Sequence, residues 1–224
     1  MLCIAGVQSS SIAQEITTAE ITTITVEEED NFKWYFGFGV AVPGDYKINE
    51  NLRAAGMPEI EGAMPELTIG YTVMQKKFLM DMEFNADYID KKTSTDRAKG
   101  VVAGFKLRGH YVGYNNGNYF LSGGADLSYT NSTFSLYTRN NVVDLENLNP
   151  AAYTGHINLN NDQFYAGPSI AFGAFQQSEF PMRLNVGYEW SLINGRWKSE
   201  FANVDNTFRE DTQGRFYAKL CFLF

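Results

Sequence analysis

The chain has 224 residues, 44% of them hydrophobic and 20% charged, with a formal net charge of -8. That length suits one domain with a sizeable core or one barrel of modest size, and the absence of any run of roughly eighteen apolar residues excludes a helical membrane protein. The charge is concentrated at one end: Glu15, Glu20, Glu27, Glu28, Glu29 and Asp30 fall within residues 1–30, which hold no Lys or Arg. The remainder carries 20 acids against 18 bases, a balance that gives no reason to expect a nucleic-acid partner.

Met1–Val7 reads as the tail of an apolar signal segment, and Ser11-Ile12-Ala13 fits a small-x-small cleavage pattern. Residues 1–13 are therefore expected to be a signal-peptide remnant. Residues 14–31, rich in Thr, Ile and Glu, are expected to form a solvated polar leader. With Cys3 removed, Cys221 stands alone, so no intrachain disulfide is expected.

From residue 32 onward the pattern has period two, which is the period of a strand and not of a helix. Phe32–Val42 sets Trp34, Phe36, Phe38, Val40 and Val42 on one face. Glu66–Met74 offers Leu67, Ile69, Tyr71 and Val73. In Phe78–Tyr88, Phe78, Met80, Met82, Phe84, Ala86 and Tyr88 oppose Leu79, Asp81, Glu83, Asn85 and Asp87. Gly100–Val112 sets Val101, Ala103, Phe105, Leu107 and Tyr111 against Lys106, Arg108 and His110. Asn118–Tyr129 gives Tyr119, Leu121, Ala125, Leu127 and Tyr129, and Gln163–Phe175 gives Phe164, Ala166, Ile170, Phe172 and Ala174. Arg183–Leu192 follows with Leu184, Val186, Tyr188, Trp190 and Leu192. Gln213–Phe224 closes the set, with Phe216, Ala218, Leu220, Phe222 and Phe224 opposing Arg215, Tyr217, Lys219 and Cys221.

The connections alternate in length. Gln75–Lys77, Gly113–Gly117 and Gln176–Met182 are short, whereas Pro43–Pro65, Ile89–Lys99, Thr130–Asp162 and Ile193–Thr212 are long. Asn116-Gly117 is a hairpin-turn dipeptide. Eight such segments predict an all-β, eight-stranded antiparallel up-and-down barrel over residues 32–224.

Three features decide that the apolar face meets lipid and not a ligand cavity. No charged residue falls on that face, and a Lys or Arg at mid-bilayer would cost about 2–4 kcal/mol. Aromatic residues gather at its two ends: Trp34, Tyr111, Tyr119, Phe222 and Phe224 near the short turns, and Tyr88, Tyr129, Phe164 and Trp190 near the long loops. Such belts suit amphipathic rings at two membrane interfaces. The polar face mixes Lys33, Lys106, Arg108, Arg183, Arg215 and Lys219 with Asp81, Glu83, Asp87, Asp126 and Glu189, and with His110. A narrow lumen filled by side chains needs such near-balance, because charges removed from water must be paired.

In these respects residues 32–224 resemble the small OmpA/OmpX-type outer-membrane β-barrels, and the closing strand, with its terminal aromatic face, resembles the last strand of bacterial outer-membrane barrels generally. The resemblance implies a multi-pass barrel in a Gram-negative outer membrane, with the leader in the periplasm and outer-membrane lipid or lipopolysaccharide around it. It also implies that Phe216, Leu220, Phe222 and Phe224 are read by the barrel-assembly machinery, so that deleting Phe224 impairs insertion.

The residues favour no catalytic reading. Asp81, Glu83 and Asp87 are expected to face Lys106, Arg108 and His110 as a lumen-filling salt-bridge plug. The chain has two His and no nucleophile motif, and His110 is expected to have no hydroxyl nucleophile in register. His156 is expected to be an exposed loop residue. No cofactor and no metal site are expected. The expected role is structural or interactive, through external loops or as a subunit of an outer-membrane complex with other outer-membrane proteins. The alternatives are a narrow pore for small solutes and a lipid-modifying enzyme. Thr130–Asp162, with Phe134, Leu136, Tyr137, Val142, Val143, Leu145 and Leu148, is the long loop best placed for contact, and part of it, as Ser128–Tyr137 suggests, is expected to extend the fifth and sixth strands above the membrane.

Overall fold

The computed structural model describes residues 32–139, 146, 155–210 and 214–224. The expected signal remnant and leader, residues 1–31, and Val142, Val143, Leu145 and Leu148 of the third long connection lie outside the described residues. The strands are β1 (Phe32–Pro43), β2 (Met64–Gln75), β3 (Phe78–Lys92), β4 (Asp96–Asn115), β5 (Phe120–Thr138), β6 (His156–Ala174), β7 (Met182–Asn194) and β8 (Gly214–Leu223), with one short helix, α1 (Ile48–Ala54), between β1 and β2. Each strand pairs antiparallel with its sequence neighbour, and β1 pairs with β8, so the sheet closes as a ring. Closure satisfies every strand edge, which a bilayer demands because it offers no water to an unpaired backbone group. Phe224 seals the seam: its N–H donates to the carbonyl of Trp34 at 2.9 Å, and Trp34 returns a bond to the Phe224 carbonyl at 3.1 Å.

The alternation in the sequence becomes an inside and an outside. Along β3, Met80, Met82 and Phe84 are 64%, 51% and 61% exposed, while Asp81 and Glu83 between them are 2% and 0% exposed. The polar face is therefore the buried one, the reverse of a soluble barrel with an apolar interior. Every residue of the expected aromatic belts Trp34, Tyr88, Tyr111, Tyr119, Tyr129 and Trp190 lies on the exposed wall. So do Phe216 and Phe224, with Leu220 and Phe222 partly covered by neighbours on the same face.

Three of the long connections hold regular structure. Ile89–Lys99 is not a long loop, because β3 continues to Lys92 and β4 begins at Asp96. As Ser128–Tyr137 suggests, β5 runs on to Thr138, and β6 starts at His156, so much of Thr130–Asp162 is strand. The cause is physical: beyond the membrane the outward positions may be polar, so alternation fades although pairing persists. Strands of 20, 19 and 19 residues are about twice the 9–11 that cross a bilayer, and β4–β6 stand out as a wall above the loop-side aromatic belt. The third is Pro43–Pro65, read from the sequence only as long, which contains α1. Its apolar residues Ile48 and Leu52 point into the barrel mouth.

Candidate functional site

The lumen is the candidate site, and it is filled in two blocks. The lower block is a network of charges. Arg108 is its hub: it donates to Asp81 Oδ2 at 2.8 Å, to Asp126 Oδ1 at 3.1 Å and to the Tyr217 hydroxyl at 3.0 Å. Arg183 also grips Asp81, at 2.7 and 3.1 Å, and stacks over the Tyr35 ring at 4.9 Å. Lys219 crosses the lumen to Glu83 at 2.5 Å and bonds Glu66 as well. Lys106 lies 3.2 Å from Glu189 and 3.5 Å from Asp126, with the Tyr217 ring centroid 3.4 Å away. Arg215 binds Glu189 at 2.8 Å and lies 3.7 Å from Asp87. Tyr217 and Tyr35 complete the network by donating to Asp126 and Glu83.

Backbone register explains part of this pairing. Asp81 is opposite Arg108 and Glu83 opposite Lys106 on β3 and β4. Yet Glu83 and Lys106 take other partners, because in so narrow a barrel the far wall is as near as the adjacent strand. Large rings fit where the facing wall is glycine: Gly70 lies against the Tyr35 ring and Gly187 against Tyr217, leaving no room for a Cβ at either position.

Three expectations about these residues need correction. Lys33 does not join the network: it is half-buried at the turn-side mouth, where its flexible ammonium reaches water. His110 faces Leu79 and not a carboxylate, since it stands one inward position below Arg108. Finally, His110 does have hydroxyl neighbours, Ser122 at 3.0 Å from Nδ1 and Ser169 at 2.7 Å from Nε2. Ser169 comes from β6, across a strand, so sequence spacing could not reveal it. The Ser169 hydroxyl donates its proton to Asp126 at 2.5 Å. Its oxygen therefore accepts from His110 Nε2–H, the opposite polarity to a general base activating a nucleophile. Sequence reasoning also missed Glu66, which lies near the start of β2 and is 1% exposed. His156 is exposed as expected, but it opens β6 and does not lie in a loop, with its ring against Tyr137 and Phe201.

The upper block is apolar. Tyr46, Ile48, Leu52, Ile60 and Met64 from the first connection pack with Val102, Phe134 and Leu136 of the wall and with Trp197 of the last connection. Tyr46, Phe134 and Trp197 form a ring triad with centroids 5.8, 6.3 and 5.9 Å apart. One carboxylate fastens this cap. Glu210, 0% exposed, accepts hydrogen bonds from the backbone N–H of Lys47 (2.6 Å) and Ile48 (3.2 Å) and from Trp197 Nε1 (2.7 Å). It thus caps the N-terminus of α1, where free N–H groups favour a negative charge. Asn49 ties the helix to Ile60 through both amide atoms. Outside, Arg53 donates to Glu59 at 2.9 and 2.7 Å and holds its carboxyl below the usual range.

At the turn end the lumen widens into a cavity of about 610 Å³, lined by residues that include Lys33, Thr72, Leu79, Phe120, Arg183 and Leu223. Arg183, which holds Asp81 behind it, is the charged residue at its inner end. Among the described residues the lumen is thus open at the turn end and blocked above it, first by ions and then by the cap.

Paired charges within a closed ring and bare aromatic and aliphatic side chains around it fit only a bilayer as surroundings. The chain is an eight-stranded transmembrane β-barrel. In outer-membrane-type barrels short turns are periplasmic and long connections face outward. Solved structures to which the barrel is similar include Ail, the attachment invasion locus protein of Yersinia pestis, at 8% identity, covering 86% of this chain and 97% of that one, with a TM-score of 0.49. A major outer membrane protein from Thermus thermophilus matches at 6% identity, covering 86% and 99%, with a TM-score of 0.49. Neisserial surface protein A matches at 13% identity, covering 87% and 97%, with a TM-score of 0.43. No protein-family model and no curated protein matches the chain. The assignment rests on the two faces of the barrel itself.

Proposed function

We propose that the barrel is a closed scaffold whose activity lies on its external face, alone or as a subunit of an outer-membrane complex. The observation that carries this reading is the doubly blocked lumen, in which an ion network with 0% exposed side chains lies under an apolar cap. Both are costly to open. Breaking one buried pair costs about 3–5 kcal/mol, so spontaneous clearance of a path is rare. The raised β4–β6 wall supports the external role, since its outward residues Lys99, Asn131, Thr133, Ser135 and Asn158 are polar and partly exposed.

The partners of this reading are outer-membrane lipid, other outer-membrane proteins and, during biogenesis, the barrel-assembly machinery acting on the aromatic face of β8. Catalysis has no part in it, given the polarity of the Ser169–His110 contact. A narrow pore is the second reading, favoured by the periplasmic cavity that reaches Arg183. Single-channel recording in planar bilayers separates the two. The closed scaffold gives no discrete openings, whereas steps whose size changes on Lys106→Gln or Asp81→Asn substitution would establish the pore.

A further inference from the structure

The inward positions at the turn end of the barrel depart from the pattern of the rest of the lumen. Deeper in, the cations meet carboxylates directly. At the turn end Leu79, Phe120 and Leu223 take those places, and the cavity of about 610 Å³ has no carboxylate among its lining residues. Two cations line it, Lys33 and Arg183. Thr72 brings them together: it stands opposite Lys33 in the β1–β2 register and accepts a hydrogen bond from Arg183 Nη1 at 3.2 Å.

Neither cation is fully matched. Among the described residues the carboxylate that Arg183 binds, Asp81, lies behind it and is shared with Arg108. Both Nη atoms of Arg183 are engaged by Asp81 and Thr72, while its Nε is buried without a hydrogen-bond partner. Lys33, half-buried at the mouth, stands outside the ion network. The rest of the wall is apolar and fixed by packing. Leu79 and Phe120 belong to one buried cluster with Val112 and Ala171, which Met74 joins, and Leu223 packs with Tyr35 and Cys221. A space of this size in a barrel mouth, largely apolar with a few convergent polar groups, has the form of a small-molecule site.

We propose that this cavity binds a small organic anion, a monocarboxylate with an apolar body, whose carboxylate lies beside Thr72 between Lys33 and Arg183 and whose body covers Leu79 and Phe120. A carboxylate supplies the acceptor oxygens that the two cations lack. An inorganic anion would leave the apolar wall wet, and a neutral apolar molecule would take water from both cations and return nothing. The inference goes beyond the closed-scaffold reading and needs only that the lumen end blindly above Arg183. On the outer-membrane reading the site opens to the periplasm.

The test titrates the full chain in phosphatidylcholine nanodiscs calorimetrically with phenylpropionate, phenylpropanol and acetate, each against empty nanodiscs. Phenylpropionate is expected to bind saturably and about tenfold or more tightly than the alcohol, which lacks the charge, or acetate, which lacks the body. Lys33→Gln should weaken phenylpropionate about tenfold and leave the alcohol unchanged, with folding checked by the shift between unboiled and boiled bands on SDS gels. No saturable binding by wild type, equal affinity for the alcohol, or equal affinity of wild type and Lys33→Gln would each overturn the anion site. Acetate binding as tightly as phenylpropionate would overturn the apolar subsite. Binding that arises only once residues 14–31 are deleted would assign the cavity to this chain's own acidic run, Glu27–Asp30, and overturn the small-ligand assignment. The closed scaffold stands or falls separately, by single-channel recording.

Discussion

Replacing Arg108 with methionine is expected to lower the unfolding free energy of the barrel by about 3–5 kcal/mol, read as a drop in the urea midpoint of refolding into lipid vesicles. Methionine nearly fills the same volume, so the loss is electrostatic. Among the described residues, Arg108 alone binds Asp81, Asp126 and the Tyr217 hydroxyl together, with Glu83 3.6 Å away. Its removal leaves carboxylates in a space with no water to receive them. The quadruple variant Arg108→Met, Arg183→Met, Asp81→Asn, Asp126→Asn, which also removes the second cation on Asp81 and leaves Lys106 with Glu189, should recover much of the loss, since buried ion groups exchanged as a set for neutral ones are often tolerated. A single substitution costing under about 1 kcal/mol would mean that the network is hydrated and the lumen wet.

The second large effect is expected at Glu210. Changing it to alanine strands the N–H groups of Lys47 and Ile48 and the indole N–H of Trp197, at about 1–3 kcal/mol for each buried donor left unpaired. These losses fall on the cap and not on the strand ladder. The expected result is therefore local: protease cleavage within Pro43–Pro65 rises many-fold, while the unboiled band on SDS gels keeps its shift. Glutamine retains one acceptor oxygen and should lie between alanine and wild type. If alanine leaves proteolysis unchanged, α1 is held by its apolar contacts alone.

The transmembrane part of the fold was legible because two solvents act on alternate residues of one strand. Lipid excludes every charge from Phe78, Met80, Met82 and Phe84, and the lumen collects Asp81 and Glu83 between them, so the phase is written in full. Where that opposition ends, so does legibility. Above Tyr88 and Tyr129 both faces accept polar residues; Ser128–Tyr137 still signals that β5 runs on, but β3 and β4 extend unannounced to Lys92 and from Asp96. The sequence of α1, INENLRA, has seven residues, too few to display a helical period. For the lumen, facing direction could be read but pairing could not. Glu83 stands opposite Lys106 in register yet bonds Lys219 of β8, and Ser169 meets His110 from two strands away. Such contacts depend on barrel radius and tilt, which no local pattern encodes. Glu210 is harder still: a lone acid in a polar connection acquires its role only when α1 and Trp197 arrive from either end of the chain.

The central claim is that aromatic side chains face lipid outside while the lumen and its cap exclude it, and the three Trp residues can report this separately. Trp34 and Trp190 are 55% and 52% exposed on the outer wall, whereas Trp197 is 3% exposed within the cap. Variants retaining one Trp each, with the other two changed to Phe, can be folded into vesicles of acyl-brominated phosphatidylcholine and their fluorescence compared with that in unbrominated lipid. Strong quenching of Trp34 and Trp190 with Trp197 unaffected is the expected result. Quenching of Trp197 with Trp34 and Trp190 spared would contradict the account.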